Sequence, residues 1–264
     1  MKKKVVIMVF LLTMIVGLVA SCKEKNKKSE INVIAAASLT EVFTKLKYEF
    51  ETQEPEPSLQ VNITFAGSQS CVTQIKEGGN FDVFASANTK YMTELIDDGY
   101  VAQGQDKIFG KNELVFITNK DVAIESIEEL YNNNYSLIIA DEVVPIGEYT
   151  LEMLDNFNNE KYGEGFSSKI LKNVVSKESN VKFITSKVEV GEADVGIVYK
   201  TDVTKANSNK LNIIEVEDSY NILAIYYIAP LKDNNNPELV KQWIDFVLSI
   251  KGKNILSEYG FYVE

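Results

Sequence analysis

From Ile31 onward the chain alternates short apolar runs with amphipathic stretches. "INVIAAAS" leads into a helix-like span from Leu39 to Thr52, "LQVNITFAGS" into one from Gln69 to Glu77, and "FDVFASAN" into one from Thr89 to Asp98. Apolar runs bounded by turn residues predict buried strands, and apolar positions at helical spacing predict the helices between them. That repeated order predicts an α/β fold with mixed, mostly parallel sheets flanked by helices, because a parallel strand pair needs a crossover long enough to hold a helix. After Gly110 the strand "ELVFITN" is followed by a short helix near Ser126 to Leu130 and the strand "YSLIIAD". Helices are expected from Gly147 to Asn156, Gly165 to Val175 and Val181 to Val190, then strands at "ADVGIVY" and "LNIIEVE". "YNILAIYYIAP" has the unbroken apolar character of a strand covered on both faces. In the final helix, after Pro237, Leu239, Trp243, Phe246, Val247 and Ile250 fall on one face.

No internal repeat and no Gly/Ser-rich linker divides this pattern, although its length suits two ordinary domains as well as one large one. The backbone is therefore expected to pass between two lobes more than once, near Asn112 and near Tyr227. Lobe I would comprise 31–112 and 228–264, and lobe II 113–227. A cleft between two lobes is a natural ligand site.

The N-terminus follows a different pattern. Lys2, Lys3 and Lys4 precede an uncharged run from Val5 to Ala20, shorter than the roughly 18–20 residues of a membrane span, and Val19-Ala20-Ser21-Cys22 precede a polar stretch. The order predicts a signal sequence over 1–21. Val-Ala-Ser-Cys resembles the lipobox of bacterial lipoproteins, which implies lipidation of Cys22, a tether over 22–30 and an exported protein held on a membrane face. The other reading is an uncleaved anchor with a buried Cys22. Cys71 is the remaining cysteine, so no intrachain disulfide is expected.

Charge and two absences narrow the function. The net charge is −11, and removal of residues 1–21 takes it to about −14, which argues against nucleic acid as a partner. The chain has no histidine, and all 27 basic residues are lysines. A Ser-His-Asp or Cys-His hydrolase is thereby excluded in its ordinary form, and the commonest transition-metal ligand is missing.

Four strand-to-helix junctions carry small or hydroxyl residues: Ser38 after "INVIAAA", Ser68 after "ITFAG", Ile146 and Gly147 after Pro145, and Val181 after Asn180. Each has a structural explanation. Ser38 with Glu41 fits a capping box, Asn180 an N-cap, Pro145 a helix start and Gly67-Ser68 a turn. The functional reading overlaps with these, because a helix N-terminus presents unpaired N–H groups that suit an anion.

"AAASL", "FAGS", "DVFASAN", "VPIGEY" and "GEADVGIVYKTD" occur in an order and spacing that resemble periplasmic molybdate-binding proteins, the substrate-capturing component of ABC transporters. The resemblance runs from about Ile31 to the C-terminus. It implies a type II periplasmic binding protein fold with the ligand in the interlobe cleft. It further implies that Ser38 and Ser68 donate from lobe I, and that Ile146 and Val181, through backbone N–H groups, and Tyr199, through its phenol, donate from lobe II. The chain departs from the family pattern at Ile146, where alanine is usual, and at Gln69 and Cys71, where smaller residues are commoner. Molybdate or tungstate would be held through its oxygens, with no direct protein–metal ligation and no cofactor. A permease would be the protein partner of a monomeric binding protein. Tyr226 and Tyr227 read as core or hinge residues, although related iron-binding proteins use paired tyrosines as ligands. The rival readings are a binding protein of the same fold for sulfate, phosphate or ferric iron, and an exported enzyme acting on an anionic substrate. The enzyme would need a base beside Ser38 or Ser68, and neither serine lies in a G-x-S-x-G or S-x-x-K context.

Overall fold

The computed structural model describes residues 29–53 and 59–263; Cys22, the signal sequence and most of the tether lie outside them. The apolar runs form two separate five-stranded sheets. The first contains β1 (Ser29–Ala36), β2 (Leu59–Ala66), β3 (Val83–Ser86), β4 (Lys107–Asn112) and, from the end of the chain, β10 (Ala224–Pro230), in the order β2-β1-β3-β10-β4. The second contains β5 (Leu114–Asn119), β6 (Leu137–Ala140), β7 (Val174–Glu178), β8 (Val195–Tyr199) and β9 (Leu211–Glu215), in the order β7-β6-β8-β5-β9. Both sheets are mixed in the same way. Parallel pairs join β1 to β2 and β3 and join β6 to β7 and β8, whereas β10 and β5 run antiparallel to their neighbours.

Nine α-helices are defined among the described residues. They are α1 (Thr40–Gln53), α2 (Ser68–Lys76), α3 (Thr89–Asp97), α4 (Ile127–Asn132), α5 (Pro145–Phe157), α6 (Phe166–Leu171), α7 (Val181–Glu189), α8 (Pro237–Leu248) and α9 (Ile250–Glu258). None is long and apolar enough to cross a membrane.

β1 is buried on both faces, which is why it reads as a continuous apolar run. Ile31, Val33 and Ala35 join a core with Phe43, Leu46 and Trp243, while Ile34 packs with Cys71, Val72 and Met92 from α2 and α3. Trp243 meets Phe43 and Phe50 edge-on, with ring centroids 6.0 and 5.4 Å apart, an arrangement favoured by aromatic quadrupoles. In the second sheet, Gly196 lets α7 lie directly on β8. A Cβ there would stand 2.7 Å from Ile184 and 2.9 Å from Val188.

Four details differ from the sequence expectations. β10 begins at Ala224 and pairs with β3 and β4, so the second passage between the sheets precedes Ala224 rather than following Tyr227. Asn221 marks this passage: its side chain accepts from Leu114 N–H at 3.1 Å and donates to Leu114 O at 2.9 Å, tying it to the first passage after Asn112. The helix expected over Gly165 to Val175 stops at Leu171, and the residues beyond Asn173 form edge strand β7 instead. Edge strand β4 likewise escaped the apolar pattern because two of its lysines interrupt it. Finally, Ser249 ends α8 and caps α9 by accepting from Gly252 N–H at 3.1 Å, so Ile250 is 82% exposed rather than on the buried face.

Candidate functional site

The carboxyl ends of β1 and β2 in lobe I face the starts of α5 and α7 in lobe II across one small cavity of about 20 Å³. Ser38, Ser68, Ile146, Val181 and Tyr199 all line it, so the structure brings the five sequence candidates together. Among the described residues, its lining contains no acidic or basic side chain.

Each group arrives by a distinct local route. After β1 the chain turns through a short 3₁₀ segment, Ala37–Leu39, before α1, and Ser38 makes no capping bond there. The expected capping box is therefore absent. Ser38 Oγ is paired instead with the Tyr226 hydroxyl at 3.0 Å, and Glu41 reaches across the cleft. Ser68 opens α2, where its Oγ accepts from Ala87 N–H at 3.2 Å. Gly67 just before it permits close approach of the opposite lobe, since a Cβ there would lie 2.6 Å from Ser179 O.

In lobe II, Pro145 occupies the first position of α5 and Ile146 follows; Asn180 caps α7 by accepting from Lys182 and Phe183 N–H groups at 3.0 and 3.3 Å. Ile146 and Val181 thus sit in first turns, where the backbone N–H has no acceptor within the helix. Tyr199 ends β8 with 1% exposure, and its hydroxyl has no hydrogen-bond partner. A phenol oxygen stands too far from its own backbone to cap the short turn that follows. It is the Tyr199 N–H that meets Asp202, donating to Oδ2 at 3.2 Å. Burial first, with Tyr226, Tyr149 and Asp202 adding to it, holds the Tyr199 phenol well above its ordinary pKa, so it remains a donor.

Of the three departures from the family pattern, only Ile146 lines the cavity. Cys71 is buried beneath α2, with Sγ 3.5 Å from Ala35 O, and burial pushes its thiol up to about 12. Gln69 lies at the cleft edge and donates to Ser179 O at 2.9 Å.

That contact belongs to one of two clasps between the lobes. Beside it, Lys182 Nζ lies 2.6 Å from Glu41 Oε2 in lobe I and 2.9 Å from Asp202 Oδ1 in lobe II. Burial opposes the Lys182 charge, yet Asp202 and Glu41 together keep its ammonium above the ordinary range. Asp202, only 1% exposed, is itself raised by burial against the pull of Lys182. The second clasp joins the Tyr91 hydroxyl to Val143 O, and Glu148 to Asn88 and Lys90 at 3.5 and 3.4 Å.

Two lobes joined by two chain passages, with hydrogen-bond donors converging on one cavity between them, define a two-lobed ligand-capturing protein. The chain belongs to the bacterial extracellular solute-binding protein family, which matches residues 31–262. It is 31% identical over 233 residues to the molybdate-binding protein ModA of Mycobacterium tuberculosis (strain ATCC 25618 / H37Rv), covering 88% of this chain and 84% of that one. It is 28% identical over 247 residues to the molybdate-binding protein ModA of Escherichia coli (strain K12), covering 90% of each. The periplasmic molybdate-binding protein of Azotobacter vinelandii superposes with a TM-score of 0.77 at 18% identity, over 89% of this chain and 99% of that one, a likeness of fold.

Tyr226 and Lys182 are neighbours of the site that were not among the five candidates. The tyrosine pair ahead of "IAP" carried a core or hinge reading beside a likeness to iron-ligating pairs, and nothing in "SNVKF" marked Lys182 as a bridge between lobes.

Proposed function

We propose that the protein captures molybdate or tungstate outside the cytoplasm and delivers it to the permease of an ABC transporter. The observation that carries this reading is the Tyr199 hydroxyl, buried and without a protein partner, beside two serines and two helix starts. A tetrahedral dianion that is fully deprotonated near neutral pH can only accept hydrogen bonds, and it leaves water only where fixed donors replace its hydration. Ser38, Ser68, the Ile146 and Val181 amides and the Tyr199 phenol can all donate, and no carboxylate competes with the anion. The molybdate-binding relatives support the identity of that anion. Each lobe supplies only part of the cage, so ligand binds the closed form better and shifts the population toward it.

The site holds and releases its ligand unchanged. Neither Ser38 nor Ser68 has a general base among its hydrogen-bond partners, which are Tyr226 and the Ala87 amide. Lipidation at Cys22 would keep a monomer at the outer face of the membrane, within reach of its permease.

The test is calorimetric titration of the soluble protein, starting at Lys23, with molybdate, tungstate, sulfate and phosphate. Submicromolar binding of the first two with far weaker sulfate binding is expected. Absence of heat with both would remove them as ligands and leave the fold as it stands.

A further inference from the structure

The donors of lobe II arrive on three separate segments: the Ile146 amide on α5, the Val181 amide on α7 and the Tyr199 phenol at the end of β8. A cage measures the size of its ligand only where the distances between such segments are fixed. One buried side chain holds two of them. Asp202, 1% exposed, ends the 3₁₀ segment Lys200–Asp202, and from there its Oδ2 reaches back to accept from Tyr199 N–H at 3.2 Å. Its backbone is pinned in turn, the carbonyl accepting from Asn207 Nδ2 at 3.0 Å.

The other carboxylate oxygen faces α7. Oδ1 makes no hydrogen bond of good geometry, yet it lies 2.9 Å from Lys182 Nζ, so the charge of the ammonium is what compensates it in the interior. Lys182 adjoins Val181, and its backbone N–H is held by the Asn180 cap at 3.0 Å in the first turn of the helix. Asp202 thus links the end of β8 to the start of α7, the two segments that bring Tyr199 and Val181 to the cavity. Neither Asp202 nor Lys182 lines that cavity. Glu41, 2.6 Å from the same ammonium, belongs to lobe I and adds nothing to the spacing within lobe II.

We propose that Asp202 is a positioning residue for size selectivity: through Lys182 it fixes the spacing of the Val181 and Tyr199 donors, and with it the discrimination between tetrahedral dianions of different radius. The inference rests on the oxyanion reading above. Molybdate and sulfate share charge and shape and differ in size, so a loosened cage loses most with the ion it fits. Charge alone predicts something else. Removing a carboxylate near an anion strengthens binding and removing an ammonium weakens it, each to a similar degree for both dianions. Loss of a spacer weakens binding of the fitted ion in either case.

Asp202→Asn is nearly isosteric. Its carbonyl still accepts from Tyr199 N–H, which turns an NH₂ toward the Lys182 ammonium and breaks the link to α7. The experiment titrates wild type, Asp202→Asn, Glu41→Gln and the double variant Lys182→Met/Asp202→Asn with molybdate and sulfate, with thermal unfolding beside it. Asp202→Asn is expected to lose about tenfold or more in affinity for the preferred ion, the scale seen when a group that orients an ion's ligands is lost, and its molybdate-to-sulfate ratio should move about tenfold toward unity. The double variant removes both charges of the link, so neither is left buried without the other, and it should show the same shifted ratio. Glu41→Gln should weaken both ions alike and keep the wild-type ratio. Tighter binding by Asp202→Asn, a wild-type ratio in it or in the double variant, or an equal shift in Glu41→Gln overturns the proposal. A crystal structure of the liganded wild-type protein provides a check that does not depend on a variant folding. The Val181 N–H and the Tyr199 hydroxyl should both touch the anion with the Lys182–Asp202 contact kept, and an anion that touches only one of them overturns the proposal. Should wild type bind neither ion, the oxyanion reading fails before any variant is compared and this proposal falls with it; a wild type that binds with a ratio Asp202 does not move sinks this proposal alone.

Discussion

In lobe I the two serines of the cage already accept hydrogen bonds from their own lobe, Ser38 from Tyr226 and Ser68 from Ala87 N–H. In lobe II the Tyr199 hydroxyl has no partner, and the Ile146 and Val181 amides lie in first helical turns without an intrahelical acceptor. In the cage we propose, the first half is built into the stability of its lobe and the second is left without protein partners. An unsatisfied buried polar group costs about 1–3 kcal/mol, so lobe II gains more when an anion arrives between the closed lobes. Lobe I holds its serines in place in advance, and on this reading lobe II supplies much of the incentive to bind.

This difference predicts opposite consequences for substitutions on the two sides. The largest combined effect is expected from Ser68→Ala. It removes a donor to the ligand and also strands the Ala87 N–H, so affinity should fall roughly tenfold or more. The ligand-free protein should also lose about 1–3 kcal/mol of stability, several degrees in Tm for a chain of this size. Titration and thermal unfolding read the two effects separately. A variant with reduced affinity and an unchanged Tm would show that the Ala87 contact does not hold the serine, and the contrast between lobes would weaken.

Tyr199→Phe comes next. Its hydroxyl contacts no protein acceptor, so the ligand-free protein should unfold at the wild-type temperature or slightly above it, because a buried unsatisfied group has been deleted. Affinity for the anion should still fall by about tenfold to a hundredfold, the range for a hydrogen bond to a charged group. A clear drop in the Tm of the ligand-free form would mean that the phenol serves its own lobe after all.

The same contrast marks what the sequence could disclose. Ser38, Ser68, Ile146 and Val181 were legible because strand-to-helix junctions have local signatures, such as "AAAS", "AGS", a proline at a helix start and an asparagine cap, whereas Tyr199 came only with the family resemblance. Central strands were legible for the same kind of reason: β1 and β8 are buried on both faces and write continuous apolar runs. Edge strands β4 and β7 were not, since half-exposed strands carry lysines and serine that break the pattern. The groups that orient and clasp the site were hidden by distance along the chain. Tyr226 lies 188 residues from Ser38, and Lys182 lies 141 from Glu41. No local propensity encodes such pairs, so only the folded topology reveals them.

The smallest effects belong to the two clasps, which touch no ligand and act only through closure. They are unequal in environment. Lys182 is flanked by Glu41 and the fully buried Asp202, with 23% of its side chain exposed, whereas Lys90 and Glu148 meet at 3.4 Å with 52% and 41% exposed. A solvent-exposed pair is screened and contributes about 0–1 kcal/mol, while a cation held between two carboxylates at a partly dry edge interacts more strongly. Glu41→Gln should therefore weaken anion binding by on the order of threefold to tenfold, chiefly through faster release, because Glu41 meets Lys182 across the cleft. Lys90→Ala should change affinity by less than about twofold. Stopped-flow dissociation measured at low and high salt separates the two, since the Lys182 contact is the less screened. Equal effects of both substitutions would mean that closure is governed by the donor cage itself, with neither clasp setting the rate of release.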